Sequence, residues 1–127
     1  MIDHVSIAVS DLARSARFYE PILAALGLEK IVDRDETIGF GKSYPEFWLN
    51  SRPDMAKPTA DCGIHICLRA SRPDLVDAFW KAAVDHGGLD DGRPGVRPEY
   101  NTHYYAAFIK DPDGNRIEVV NFLPDPD

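Results

Sequence analysis

The sequence predicts an α+β fold built from two copies of one strand–helix–three-strand unit. Three observations lead there. A short apolar strand followed at once by an amphipathic helix occurs at the start of the chain and again about 60 residues later. Each helix is followed by short strands bounded by turns rather than by further helix. Each first strand carries one histidine, His4 or His65, at the same place and on the same side.

The elements follow in order. Residues 2–9 read as a strand, with Val5, Ile7 and Val9 on one face and His4, Ser6 and Ala8 on the other. Ser10 or Asp11 caps a helix whose stripe is Leu12, Ala16, Tyr19 and Leu23, broadened by Phe18, Ile22 and Leu26. Pro21 removes one helical hydrogen bond, so a kink or break is expected there, and Gly27 is the stop. Three brief strands follow at 28–32, 37–40 and 47–49. Residues 51–61 contain Pro53 and Pro58, lack periodicity and read as a linker. The second unit opens with a strand over 63–69, with His65, Cys67 and Arg69 on one face. Ser71, with Pro73 behind it, opens the second helix, and Gly87-Gly88 ends it. Residues 89–100 are Gly- and Pro-rich, with a short strand near 95–97. A clear strand covers 104–109. The turn Asp111-Pro112-Asp113-Gly114 then leads into a last strand bearing Glu118 among apolar neighbours. The tail, 123–127, is polar and frayed. The whole reads as one domain: a first module over about 1–50, a linker, and a second module over about 62–122.

Composition bounds the function. The 127 residues are 44% hydrophobic and 28% charged, which suits a soluble globular chain. A net charge of −7 repels phosphate backbones and anionic membranes, so neither nucleic acid nor membrane is an expected partner. No apolar run approaches the ~20 residues of a membrane span. The first ten residues lack the basic and apolar segments of a signal peptide, which leaves the cytoplasm as the default location. Cys62 and Cys67 have neither redox-pair nor zinc spacing and read as reduced small hydrophobes.

The chemistry-bearing residues are few. A carboxylate on a buried strand is costly unless something pairs with it. Two imidazoles and one carboxylate on three strands match the facial triad that holds Fe, Mn or a related divalent ion, so His4, His65 and Glu118 are the candidate metal ligands. Three protein ligands leave positions open for substrate. The competing reading makes Glu118 one half of an ion pair with Arg69 or Arg116. Tyr104 and Tyr105 face opposite ways, so one of them looks into the cavity. His103 is a loop histidine or an acid/base group near the cavity mouth, the loop reading being preferred. Ser6 is a candidate pocket hydroxyl and Trp48 a candidate wall. His86 stands at the end of the second helix as a C-terminal cation. Nucleophile elbows, phosphate loops and dinucleotide fingerprints are absent from the sequence.

Three segments carry a resemblance to a known family: Asp3-His4-Val5-Ser6-Ile7-Ala8-Val9, Gly63-Ile64-His65-Ile66, and Phe108 through Glu118. With these, nearly the whole chain resembles the vicinal oxygen chelate superfamily, which includes glyoxalase I, extradiol dioxygenases, fosfomycin-resistance proteins and bleomycin-binding proteins. The resemblance implies two βαβββ modules whose mixed sheets curl into a cup with the helices outside, and a divalent metal (Fe, Mn, Zn, Ni or Co) on His4, His65 and Glu118. It implies a small-molecule substrate held through vicinal oxygens, lyase, isomerase or dioxygenase chemistry, and a homodimer. The alternative within the family is a module that binds a small molecule or drug without catalysis. The fourth ligand of glyoxalase I, a Glu, would fall near Trp48 and is missing here, although Glu46 shares that face. The basic cluster of the fosfomycin branch is also missing, since no Lys or Arg follows Glu118.

Overall fold

The computed structural model describes residues 1–124; the last three residues of the expected tail lie outside the described residues. The chain runs β1 (Val5–Val9), α1 (Leu12–Ala24), β2 (Glu29–Asp33), β3 (Thr37–Gly41), β4 (Pro45–Ser51), β5 (Ile66–Arg69), α2 (Pro73–Asp85), β6 (Leu89–Val96), β7 (Tyr104–Lys110) and β8 (Arg116–Phe122). Each βαβββ module makes its own four-stranded mixed sheet, in the orders β1-β4-β3-β2 and β5-β8-β7-β6. In both, the first strand pairs in parallel with the last, and the other neighbours are antiparallel. The sheets do not close on one another.

One core serves both modules. Phe18, Tyr19, Ile22 and Leu23 of α1 and Val76, Phe79 and Ala83 of α2 bury together with Phe47 and Leu49 of β4 and Ile117 and Val119 of β8. The helices pack on each other and on the same faces of their sheets. Strand alternation sends the other faces outward, and these carry His4, Ser6 and Trp48 in one module and His65, Tyr104 and Glu118 in the other.

Several local expectations change. β1 begins at Val5 and β5 at Ile66, so both histidines stand just ahead of their strands rather than within them. Asp11, not Ser10, caps α1 by accepting from the Arg14 amide at 3.0 Å. The helix runs through Pro21 without a break. The N-cap of α2 is Arg72 rather than Ser71, with no side-chain hydrogen bond; Pro73 in the first turn removes one of the amides a cap would serve. The short strand expected near 95–97 is the end of the longer β6, which pairs with β7 through two register shifts that hide its alternation. At the end of α2, His86 Nδ1 lies 2.7 Å from the Ala82 carbonyl oxygen, at the expected helix terminus.

The Asp-Pro-Asp-Gly turn joins the modules. Asp111, 2% exposed, accepts the Tyr19 hydroxyl at 2.7 Å, the Asn115 amide at 2.8 Å, the Asn115 side chain at 2.9 Å and the Asp113 amide at 2.9 Å. Gly114 takes φ +93 to close the turn. Asp113 accepts the Ser10 amide at 2.9 Å and Arg14 at 3.1 Å, and Asn115 donates to the Ala8 carbonyl at 2.9 Å. Burial raises the Asp111 pKa, and the hydrogen bonds from Asn115 and Tyr19 oppose that rise. Tyr19→Phe removes the only side-chain donor that α1 supplies to this carboxylate. The expected loss is about 1.5–3 kcal/mol, read as a lower urea midpoint at unchanged slope. A midpoint equal to that of the parent would contradict the role given to this bond.

Candidate functional site

Glu118 is 3% exposed, and both its oxygens are used. Its place follows from β8, which is central in its sheet, with Cys67 of β5 opposite it on one side and Phe108 of β7 on the other. His65 Nε2 lies 3.0 Å from Oε1, and the Tyr104 hydroxyl donates to Oε2 at 2.5 Å. The His65 and Phe108 ring centroids are 6.3 Å apart, and the Cys67 thiol lies 3.9 Å from the Tyr104 hydroxyl. The ion pairs considered from sequence do not form: Arg116 reaches Asp91 at 3.0 Å, and Arg69 lies over the Phe122 ring.

This pair suits a divalent ion. Two ligand atoms, each about 2.1 Å from one ion and at right angles, stand about 3.0 Å apart. The observed Nε2···Oε1 separation is 3.0 Å. Imidazole nitrogen with carboxylate oxygen is also a donor set for borderline divalent metals.

His4 is not part of this cluster. It is exposed and bonds Asp3 at 2.7 Å. Among the described residues, no group of three His, Cys, Asp or Glu side chains is close enough to hold an ion. The end of β1 is tied to the turn that starts β8, through Asn115 to Ala8 and Asp113 to Ser10. Ile7 shares a small cavity with Ile64 and Ile66. His4 and His65 line a larger one, of about 560 Å³, together with Glu46, Cys67 and Arg69.

The other candidates divide between the faces. Tyr104 is the tyrosine that looks to Glu118; Tyr105 points to α2 and donates to Asp77 at 2.6 Å. His103 precedes β7 in the connection, its backbone bonded to Asn101 and Leu123. Ser6 stands opposite Trp48 in the β1–β4 register, as Cys67 stands opposite Glu118 in β5–β8. Trp48 thus occupies the place in the first module that Glu118 occupies in the second. The Arg34 guanidinium lies over its ring. Sequence reasoning placed Cys67 on the His65 face but read it as a bland hydrophobe, and it passed over Phe108. The Tyr104 parity was the available signal for Phe108.

Electrostatics sets proton positions. Burial, with the Glu118 bond added, pushes the Tyr104 phenol well above its ordinary pKa, so it keeps its proton and acts as a donor. Cys67 is an exposed residue, yet partial desolvation of its thiol, with the neighbouring Glu118 charge added, pushes it up to about 12. In chelator-treated Cys62→Ser protein, Cys67 therefore resists alkylation near neutral pH, and its rate climbs with pH toward about 12. Glu118→Gln removes one cause and speeds labelling at pH 8, as read by mass spectrometry. Fast labelling of the parent at pH 8 would contradict this environment.

Comparison with known proteins places the chain. The family model described as the Glyoxalase/Bleomycin resistance protein/Dioxygenase superfamily matches residues 1–119. A virulence protein of Salmonella typhimurium is 28% identical over 127 residues, covering 96% of this chain and 84% of its own length. Metallothiol transferase FosB of Shouchella clausii is 27% identical over 119 residues, with 93% and 77% covered. Among solved structures, a glyoxalase/bleomycin resistance protein of Albidiferax ferrireducens is similar with a TM-score of 0.81 at 28% identity, covering 93% of this chain and 96% of that one. A glyoxalase I mutant of Zea mays shares the fold at 23% identity and a TM-score of 0.72, with 93% and 44% covered. The chain belongs to the Glyoxalase/Bleomycin resistance protein/Dioxygenase superfamily.

Proposed function

We propose that this chain is a glyoxalase-like, metal-dependent enzyme that binds a small substrate through vicinal oxygens, and that it works as a homodimer. Its ion is held by His65 and Glu118 of one chain with His4 of a second copy. One observation carries the metal reading: a carboxylate buried to 3% exposure presents an oxygen 3.0 Å from an imidazole nitrogen on an outward sheet face. A buried carboxylate without a cation is costly, and a divalent ion offsets that cost. The dimer reading rests on the incomplete cluster: His65 and Glu118 meet, while His4, which lines the same cavity as His65, bonds Asp3 instead. His4 with Ser6 lies on one outward face and His65 with Glu118 on the other, and a two-fold axis that brings unlike faces together completes two sites at once. Glu46, on the His4 face and lining the same cavity, is placed to support or replace a ligand there.

A bound ion supplies Lewis-acid polarisation of substrate oxygens at this place. The side chains do the rest. Tyr104 holds its proton at the phenol oxygen and offers it to Glu118 or to a substrate oxygen. Phe108 gives the floor an apolar wall that excludes water from the carboxylate.

Elemental analysis tests this reading. Tag-free protein, incubated with Mn, Fe, Co, Ni or Zn and then desalted, is expected to retain about one ion per chain. His65→Ala and Glu118→Gln are each expected to lose it. Oxygen uptake with catechols then separates a dioxygenase from an isomerase or lyase. A parent that retains none of the five ions, with no change in melting temperature, would leave a small-molecule binding module in place of the enzyme.

A further inference from the structure

Arg97 lies on the same outward face as Glu118, in a slot built for it. Gly92 pairs with Phe108 and Gly95 with Ala106, so three steps along β6 answer to two along β7. This is a bulge, which re-aims backbone and side chains locally. Two carbonyls grip the guanidinium: Nη2 donates to Arg93 at 2.7 Å and Nη1 to Gly95 at 3.2 Å. Its Cζ lies 5.5 Å from the centre of the Phe108 ring, the same ring that neighbours His65. Two glycines make the room. A Cβ at Gly92 would stand 3.2 Å from Nη2 and 3.0 Å from Phe108, and one at Gly95 would stand 3.3 Å from Nη1. Gly92 also takes φ +152, which side chains rarely adopt.

A guanidinium has five donor hydrogens, and two are spent here on neutral carbonyls. Among the described residues, no carboxylate forms an ion pair with Arg97. Arg72 and Arg116, by contrast, each have an aspartate partner. A half-buried cation, fixed in position and short of a counter-charge, stands beside the aromatic wall of the proposed metal centre.

We propose that Arg97 is the substrate-anion residue of this site, so that the substrate carries a carboxylate besides the vicinal oxygens held at His65 and Glu118. A single planar fork with free donors matches one carboxylate. The chain as a whole carries a net charge of −7, which disfavours a dianionic phosphate more than a single carboxylate. The proposal names the substrate class for the function proposed above and rests on that reading.

The test uses two matched probes, 3,4-dihydroxyphenylacetate and its neutral amide, titrated without oxygen into Mn(II)-loaded and into chelator-treated dimer. The acid is expected to bind about tenfold tighter than the amide. Arg97→Gln is expected to erase that preference and leave the amide affinity unchanged. If Arg97→Gln does not fold, Arg97→Lys keeps the charge, loses the fork and is expected to reduce the preference several-fold. Equal binding of acid and amide, binding of neither, or a preference that survives substitution overturns the proposal. A preference abolished by Arg97→Gln but independent of Mn(II) upholds the anion site and removes the metal from the account.

Discussion

The Asp111 carboxylate is the joint on which the two modules hang. It is buried, and its four hydrogen bonds come from both sides of the molecule: Tyr19 from the first module, and Asn115 and Asp113 from its own turn. Those bonds hold the turn in the shape that lets Asp113 reach Ser10 and Asn115 reach Ala8. The turn thus grips the end of β1 while delivering the chain into β8. Glu118 lies a few residues further on, so the clamp that unites the modules also sets the register of the strand carrying the proposed metal carboxylate. That dependence explains why so polar a sequence is buried so deeply: without its partners the turn would cost free energy, and with them it fixes a relation between distant parts of the chain.

The modules are equivalent in backbone and different in chemistry. The parallel pairings place Ser6 where the second module has Cys67, and Trp48 where it has Glu118. One module therefore brings a carboxylate, a phenol and an imidazole to its outward face. The other brings an imidazole, a hydroxyl and an indole. Within one chain each face is incomplete: among the described residues no three ligating side chains come together, although His4 and His65 line one cavity. Two unlike half-sites on one chain are what a two-fold assembly needs to make two whole ones.

Much of this was legible in the sequence because period-2 and period-3.6 patterns survive wherever an element has one buried face. The repeat, the helix stripes, and the shared side of His65 and Glu118 all follow from that alternation. What escaped has a physical reason in each case. β6 contains Gly92, Pro94 and Gly95, and its bulges break the alternation that would have revealed it. Arg97 owes its position to that bulge and to two missing side chains, so no pattern in its neighbours announces it. The cap of α2 was misplaced because Pro73 starts the helix without needing a side-chain acceptor before it. Whether His4 meets the other two ligands within one chain is a tertiary relation that local periodicity does not encode; in this chain it bonds Asp3.

The central claim is a metal site shared between two copies, and a mixed dimer tests it most directly. Chains with His4→Ala and chains with Glu118→Gln are given different tags, co-expressed, and purified through both tags in turn. Each parent dimer should hold almost no ion. The mixed dimer pairs an intact His4 on one chain with an intact His65 and Glu118 on the other, and should hold about one ion per dimer. A mixed dimer as empty as its parents, or a His4→Ala dimer that keeps its full metal content, would contradict the shared site.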